Sequence, residues 1–535
     1  MHPVLNVPKR SVVRPARRRA TAALAATVLG VLVAAPNAVA VTEIPSDPPN
    51  GPSLIPGFLG SPASADPVRA PAIPRHPFMA ANGASNVHND GYQSDTYTYP
   101  GPLGRDPEVN SQFFGTLGLC GVTIAFDRFG RLVTTCVSGN SQELRIMDPT
   151  TLETMASYSL PPRVVPPGGN PFTSAGGAYF YVDERDRAVI STTRSIRVVA
   201  ITGRASNPSF ELTRVYDVSS VVPADDQINS AIPDWSGRLW FVSRFHGVVG
   251  VVDQSTGRLL DSIRLDEPIG NSFAADEKGG VYIVSDAAMY RFGLDRGGRI
   301  KTVWRDEYEN SGIVKPGQFT AGSGTTPTVM GNHYVAITDN ADPMNVVVYR
   351  RAANVGAGRG RVVCEQPVFE AGASATENSL IATDNSIVVE NNYGYAPPPA
   401  ATMAGATTTP GFERVDVAQN GKSCRTVWHS DEIAPSVVPK LSLANGLVYT
   451  ITKPPGSPDA WYLTAIDFDT GETEWSRLMG TGLYYNNHYA GISIGPGGDL
   501  YIGVLGGTVR VADGGGRPRG PPSRARGRLG GWVAR

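Results

Sequence analysis

The chain is poor in cysteine and in charge, with four cysteines and 18% charged residues among 535. No Cys-x-x-Cys or His-Glu-x-x-His sequence occurs, which argues against zinc ribbons and zinc proteases. Gly421-Lys422-Ser423 lacks the first glycine of a phosphate-binding loop, because Asp416 stands in its place. The sequence is instead rich in turn-forming residues, with 60 glycines and 44 prolines.

The first forty residues have the pattern of an export signal. Six Lys or Arg and no acid are followed by the apolar run Ala20–Ala35 and then by Ala38-Val39-Ala40. This order predicts a signal peptide over residues 1–40, cleaved after Ala40, and an extracytoplasmic mature protein. An uncleaved membrane anchor is the alternative. No later run is apolar enough to cross a membrane, so we expect no transmembrane segment in the mature chain.

The mature body is acidic, although the whole chain has a formal net charge of −1. Residues 1–40 and the Gly/Arg/Pro tail 514–535 hold twelve of the 47 Lys and Arg and no acid, which leaves 35 basic against 48 acidic residues between them. Phosphate binding needs clustered positive charge, so the body is not expected to bind nucleic acid. We expect the tail to be disordered.

The Pro-rich stretch 41–75 predicts an extended linker, and a strand-rich repeat follows it. Three segments share one pattern, an apolar strand, a turn opened by Asp and closed by Gly, and a second strand. The aspartates are Asp127, Asp234 and Asp276. Aspartate opens such a turn by accepting hydrogen bonds from its own backbone, and glycine accepts the positive φ that closes it.

The start of the second strand recurs along the chain at a regular interval. The marker residues are Arg131, Arg187, Arg238, Gly280, His333, Ser386, Gly446 and Asp499, with spacings of 56, 51, 42, 53, 53, 60 and 53 residues. This period, with about four short strands per repeat, indicates an all-β fold, a single β-propeller over residues 76–513. We predict eight four-stranded blades, with seven as the alternative. The last repeat is one strand short, and Thr96–Tyr99 is expected to supply that strand from the N-terminal side.

The four cysteines predict two disulfides in an exported chain. Cys120 and Cys136 flank a predicted hairpin turn near residue 128, which places them opposite each other on paired strands. Cys364 and Cys424 are then left to pair with each other. Two separate buried thiols are the alternative for the second pair.

One segment carries a recognisable repeat. Ala465-Ile-Asp-Phe-Asp-Thr-Gly-Glu-Thr-Glu-Trp475 resembles the A-x-D-x-x-T-G-x-x-x-W repeat of the quinoprotein alcohol dehydrogenase-like superfamily. The resemblance implies a propeller in which this tryptophan docks neighbouring blades. It also implies pyrroloquinoline quinone with calcium on the propeller axis, under a disulfide between adjacent cysteines. This chain has no adjacent cysteines, so the resemblance does not support quinone.

A propeller binds ligands where the loops that enter the inner strands and the loops between second and third strands converge. We call this surface the axial face. Residues expected to bind a ligand there are Asn229, Asn271, Thr325, Asn378, Asn392, Arg244 and His246. The ligand expected is a small molecule, a glycan or a protein segment, and the protein is expected to be a monomer.

Acidic and amide side chains concentrate in the fifth and sixth repeats. Hard oxygen ligands of this mixture suit calcium, and the residues expected to hold it are Glu377, Asp339, Asp342, Glu390 and Asn340. Solvated loop acids are the alternative. His488 and Lys440 are the candidate base and anion contact of a catalytic site.

Two classes of function follow. The first is a ligand-binding or interaction propeller without catalysis. The second is a propeller enzyme, either a quinone-dependent dehydrogenase or a metal-assisted hydrolase of lactone or ester type. One clear repeat and one acid cluster expected from the sequence are thin support for catalysis, and a fold does not by itself imply a function. We therefore favour the first class.

Overall fold

The computed structural model describes residues 42–47, 55–163, 179–396, 408–455 and 459–514. The predicted signal peptide and nearly all of the predicted tail lie outside the described residues. The described part is all-β, and its helical content is the single 3-10 turn Leu483–Tyr485. In that part of the chain, no helix has the length and apolarity needed to cross a membrane.

Most strands belong to eight groups of four, which we call units 1 to 8. The first strand of each unit is its inner strand. Unit 1 consists of Leu119–Phe126, Leu132–Ser138, Ser141–Met147 and Thr154–Leu160, and unit 2 of Phe180–Val182, Arg187–Ser191, Ser195–Arg204 and Asn207–Asp217. Unit 3 consists of Ile228–Pro233, Arg238–Ser243, Val248–Asp253 and Leu259–Arg264, and unit 4 of Ala274–Ala275, Val281–Val284, Ala288–Leu294 and Ile300–Glu307.

The next three units follow in the same way. Unit 5 consists of Thr328–Met330, Tyr334–Thr338, Asn345–Arg350 and Val362–Pro367. Unit 6 consists of Ile381–Ala382, Ser386–Glu390, Phe412–Val417 and Cys424–Ser430, and unit 7 of Lys440–Ser442, Leu447–Thr452, Ala460–Asp467 and Thr473–Thr481. Unit 8 consists of Ile492–Ile494, Leu500–Val504, Gly507–Ala512 and, from the N-terminal side, Glu108–Phe113. Each of the eight sequence markers lies at the start of a second strand or one residue before it.

The units have the arrangement of a β-propeller. Strands pair antiparallel within every unit, in chain order in units 1 to 7, and inner strands of units 1 to 6 contact one another in succession. The inner strand of unit 8 contacts that of unit 1. Units 7 and 8 are joined by the parallel bridge between Val438 and Gly491. Apolar side chains fill the space between units, which is where an alternating strand buries its apolar face.

The predicted closing strand was wrong in its position. Thr96–Tyr97 is a two-residue strand that pairs in parallel with the inner strand of unit 7, and the strand that pairs with Gly507–Ala512 is Glu108–Phe113. The Pro-rich stretch also differs from a free linker, because Phe58–Gly60 pairs with the outer strand of unit 7.

The Asp-opened turn forms as predicted. The Oδ1 atom of Asp127 accepts hydrogen bonds from the backbone N–H groups of Phe129 and Arg131, and Gly130 has a φ of +75°. Unit 2 has the same turn, in which Asp183 accepts from Arg185 and Arg187. A non-glycine residue, Asp186, takes the positive φ of that turn.

Both predicted disulfides are present. Cys120 and Cys136 are directly paired residues of the first two strands of unit 1. Cys364 and Cys424 connect the outer strands of units 5 and 6. The second bond therefore joins two neighbouring units at the outer edge of the fold.

Residues 76–99, which we call the axial segment, run along the inner strands. Backbone carbonyls of this segment accept hydrogen bonds from inner strands of six units: from Phe126 to Ala84, Val182 to Ser85, Ala275 to Gly91, Val329 to Tyr92, Ala382 to Ser94 and Leu441 to Asp95. In unit 8, the Tyr99 hydroxyl donates to the carbonyl of Ile494. Most of these contacts lie near the ends of the inner strands that are distant from the axial face, so the segment fills the centre from the opposite side.

Candidate functional site

Lys440 belongs to the centre of the fold rather than to an open anion site. Its ammonium group donates to Asp95 and to the carbonyl of Val87, both in the axial segment, and neither Lys440 nor Asp95 is exposed. Burial lowers the pKa of Lys440, while Asp95 opposes the shift. The predicted catalytic role of Lys440 as a contact for a substrate anion is not supported, because its charge is already paired.

The carboxylate of Asp95 also binds a histidine. His88 Nδ1 lies 3.0 Å from Asp95 Oδ2, and its Nε2 lies 3.3 Å from Thr326 Oγ1 and 3.4 Å from Ser379 Oγ. These residue types are those of a hydrolase triad. However, Ser379 Oγ already accepts the N–H of Thr326, and Asp95 is shared with Lys440. We therefore interpret the group as the polar core that ties the axial segment to the entering loops.

The predicted calcium ligands each have separate local partners. Asp339 accepts from Asn345 and Ala341, and Asn340 donates to Asn310 and Ile313. Asp342 is exposed and accepts from the N–H of Gly372.

In unit 6 the two predicted ligands are buried among neutral donors. Glu377 accepts from the N–H of Phe319, and Glu390 Oε1 accepts from the side-chain amides of Asn378 and Asn392. Within the described ranges, no three Asp, Glu, His or Cys side chains are placed to hold a metal ion. Backbone and amide donors bond to Asp339 and to Glu390 Oε1, whereas Glu390 Oε2 and Asn340 Oδ1 have no partner among the described residues. Calcium binding by these residues stays a prediction.

Five asparagines on the axial face each have one polar atom without a partner among the described residues. They are Asn229, Asn271, Asn340, Asn378 and Asn487, from units 3, 4, 5, 6 and 8, and all are buried. Asn229 Nδ2 donates to backbone carbonyls of the next entering loop, whereas its Oδ1 has no partner in the described part. Buried amide atoms are almost always paired, so a set of unpaired ones indicates a position where a ligand or water binds.

Arg244 has the most unusual surroundings. It lies in the loop between the second and third strands of unit 3, 6% exposed. Among described residues its guanidinium has no hydrogen-bond acceptor or ion-pair partner, and Nη1 is buried. Burial lowers the pKa of Arg244, and the charges of Glu377 and Asp286 oppose that shift.

Burial also sets the charge of the nearby acids. It raises the pKa of Glu377 to about 8, and the hydrogen bond from Phe319 and the charge of Arg244 act against it. Burial raises the pKa of Glu390 well above its ordinary value, opposed by donation from Asn392, Asn378 and the backbone of Val437. At neutral pH these side chains are therefore largely uncharged hydrogen-bonding groups.

His488 lies in an aromatic environment. Its Nδ1 is 2.8 Å from the hydroxyl of Tyr395, and the rings of Tyr395 and Tyr489 lie 5.9 and 5.3 Å from its own ring. His488 and Tyr489 both have positive φ values, of 38° and 60°. The histidine is buried, and its catalytic role stays a prediction.

The remaining predicted ligand contacts divide into buried and exposed groups. Thr325 accepts the N–H of Thr338, and Asn392 holds Glu390 and the carbonyl of Pro435. Both are buried supports of the loops. His246 is partly exposed at the rim, between Asp225 and Arg264.

Sequence reasoning missed several residues of this face. Tyr179 donates to Asn271 Oδ1 at 3.0 Å, and its ring lies 6.3 Å from the ring of His88 in the axial segment. Gly491-Ile-Ser-Ile-Gly495 has the spacing of a serine-hydrolase motif. Ser493, however, is buried in an inner strand and donates to the carbonyl of Ile124. The strand geometry excludes the strand-to-helix turn that this motif needs.

We expect the Glu390→Gln variant to become increasingly more stable than the native chain as pH rises. An acid whose folded pKa exceeds its unfolded value stabilises the fold fully below the unfolded pKa, and this stabilisation is lost as pH rises through the folded pKa. The variant removes that loss and keeps one acceptor oxygen for Asn392 and Asn378. Its advantage over the native chain should grow by about 1.4 kcal/mol for each pH unit between about 5 and the folded pKa of Glu390, and should then stay constant. Urea unfolding across this range measures it.

The exposed substitution Glu370→Gln is the control and should show no such trend. A difference between native and Glu390→Gln proteins that is constant with pH would contradict the assignment of Glu390 as a buried neutral acid.

No protein-family model matches this chain. Over 388 residues it is 28% identical to an uncharacterized protein of Archaeoglobus fulgidus, which covers 67% of this chain and 74% of that protein. Among solved structures, the quinohemoprotein alcohol dehydrogenase from Comamonas testosteroni covers 82% of each chain with 11% identity and a TM-score of 0.49.

Two other solved structures are similar in the same range. A europium-containing methanol dehydrogenase covers 80% of this chain and 89% of its own, with 11% identity and a TM-score of 0.47. BamB from Moraxella catarrhalis covers 60% and 93%, with 13% identity and a TM-score of 0.38.

Proposed function

We propose that the eight units are the blades of one closed propeller and that Glu108–Phe113 completes the last blade. The antiparallel pairing of this strand with Gly507–Ala512 supports closure, because it gives unit 8 the same four strands as the others. The contact between the inner strands of units 8 and 1 supports eight blades rather than seven.

We further propose that the axial face binds a small polar molecule. The observation that carries this proposal is the set of buried, unpartnered atoms of Asn229, Asn271, Asn378, Asn487 and Arg244. They lie in loops of four different units that face one side of the fold. Convergent polar groups of this kind fix the orientation of a ligand in a concave site.

Burial favours a small molecule over a folded partner or a long glycan. A protein surface reaches exposed groups, whereas these five side chains are each at most 6% exposed. A compact ligand that enters between the loops can form hydrogen bonds with the unpartnered atoms of these side chains. The two disulfides support the proposal that the protein works outside the cytoplasm, where such bonds persist.

The enzymatic alternative with quinone and calcium does not fit the residues present. The cysteines of this chain pair across strands and across units, and none are adjacent. The predicted carboxylates are held by separate local donors, as described for Asp339, Glu377 and Glu390. We therefore propose binding without redox chemistry.

Ligand capture tests the proposal. Purified protein is incubated with the low-molecular-mass fraction of a cell extract, washed, denatured and analysed by mass spectrometry. We expect at least one small molecule to be enriched relative to heat-denatured protein. A variant with Asn271→Leu and Asn378→Leu, which removes two amides that each have one unpartnered atom, should lose this enrichment. Equal recovery from native and variant proteins would contradict binding at the axial face.

A further inference from the structure

We infer that the ligand of the axial face is an organic anion whose oxyanion group binds the guanidinium of Arg244. The inference rests on the proposed function, since it names the chemical class of the ligand of that same site. Its basis is a buried cation without a counterion in the described residues, next to unpartnered amide groups.

The position of Arg244 is fixed by its backbone. Its N–H donates to the carbonyl of Gln227, and its carbonyl accepts from Ile269 at 2.9 Å. The side chain is thereby held at the junction of units 3 and 4. A buried charge without a partner is strongly unfavourable, and proteins keep one mainly where a ligand supplies the opposite charge.

The acids near Arg244 are not its partners. Asp226 is committed to the N–H groups of Gln227, Phe245 and His246 and to the hydroxyl of Ser243. Asp286 accepts from Thr320. Its charge acts on Arg244 through space, but no hydrogen bond or ion pair joins these two described residues.

Glu377 strengthens the preference for an anion. Burial raises the pKa of Glu377 to about 8 against the opposing charge of Arg244, so the carboxyl is largely protonated at neutral pH, and no hydrogen bond or ion pair joins these two described residues. A protonated carboxyl also has a proton to donate. The guanidinium and this acid can then act together on an anion, whereas an ionised Glu377 would compete with it.

Neutral groups beside Arg244 limit the shape of the ligand. Asn229 donates to the carbonyls of Ile269, Gly270 and Asn271, which connects it to the loop that Arg244 also holds. Asn271 Nδ2 is a free donor, and Asn229 Oδ1 is a free acceptor. An anion that also carries a hydroxyl or amide group would satisfy both. A planar guanidinium binds an oxyanion through two parallel hydrogen bonds.

The experiment compares molecules retained by native, Arg244→Gln, Arg244→Lys and Arg299→Gln proteins after incubation with the same low-molecular-mass extract. Arg299 is the matched control, because its exposed guanidinium pairs with Asp295 away from the axial face. Retained species are identified by mass spectrometry in both ion modes. We expect a retained organic anion, and isothermal titration with the identified compound should show about 10- to 100-fold weaker binding to Arg244→Gln.

The outcomes separate the inference from the proposed function. A retained anion that Arg244→Gln loses, that Arg244→Lys binds with intermediate affinity and that Arg299→Gln binds normally supports both. A retained neutral molecule, or an anion that Arg244→Gln binds equally well, overturns the inference and leaves the proposed function intact. If no molecule is retained by the native protein, both are overturned. Thermal unfolding of each variant confirms that the protein used is folded.

Discussion

Replacing Lys440 by methionine is expected to lower the free energy of unfolding by about 3–5 kcal/mol. The substitution leaves the Asp95 carboxylate fully buried with His88 as its remaining side-chain partner. It also removes the hydrogen bond from the ammonium group to the carbonyl of Val87. Urea unfolding at neutral pH, monitored by tryptophan fluorescence, measures the change.

A surface pair provides the comparison. Lys278 is 55% exposed and lies 3.8 Å from Glu277, so Lys278→Met should cost less than about 1 kcal/mol. The double variant Lys440→Met/Asp95→Asn should lose less than the sum of its single variants, because the pair is removed together. If Lys440→Met is no more destabilising than Lys278→Met, the buried pair does not anchor the axial segment.

Trp475→Ala is expected to destabilise the fold by about 3–5 kcal/mol through the cavity it creates. The indole is fully buried and packs against Phe58 and Tyr449. It also contacts Gly104, which has a φ of +81° and no room for a side chain. Chemical denaturation should show a smaller loss for Trp475→Phe, which retains most of the apolar contact.

Leu212→Ala is a suitable reference, since Leu212 is 40% exposed in an outer strand and its truncation should change stability by less than about 0.5 kcal/mol. An equal loss for Trp475→Ala and Leu212→Ala would show that the indole does not hold the N-terminal stretch against unit 7.

The repeat was predictable because its information is local. Each Asp-opened turn depends on a side chain that bonds its own backbone within four residues, as at Asp127 and Asp234, and this signal is readable in sequence. The turn of unit 2 escaped the pattern because Asp186 replaces the glycine at the positive φ. The same locality made Cys120–Cys136 predictable from one hairpin.

The closing strand and the axial segment were not predictable in the same way. Thr96–Tyr99 alternates like a strand, and nothing local distinguishes pairing with Gly507–Ala512 from pairing with Lys440–Ser442. The choice depends on contacts more than 300 residues apart in sequence, such as that between Asp95 and Lys440.

The loops of the candidate site could be predicted from the sequence, whereas their chemistry could not. The register placed Arg244, Asn271 and Glu377 between strands, where the structure has them, and their role in a site stays a prediction. Charge and metal binding could not be deduced, because they depend on which atoms are already bonded. Asp339 and Glu390 resemble metal ligands in the sequence, yet backbone and amide donors hold them in the structure.

The axial segment also changes how this repeat fold can evolve. In an open array each repeat contacts only its neighbours, so repeats can be gained or lost at modest cost. Here a single stretch of about twenty residues bonds to the inner strands of seven units, each at its own position. An inserted or deleted repeat would displace the inner strand of every later unit from the residue of that stretch to which it bonds. The number of repeats is thus constrained by a template within the same chain, and sequence drift is expected in the outer strands before the inner ones.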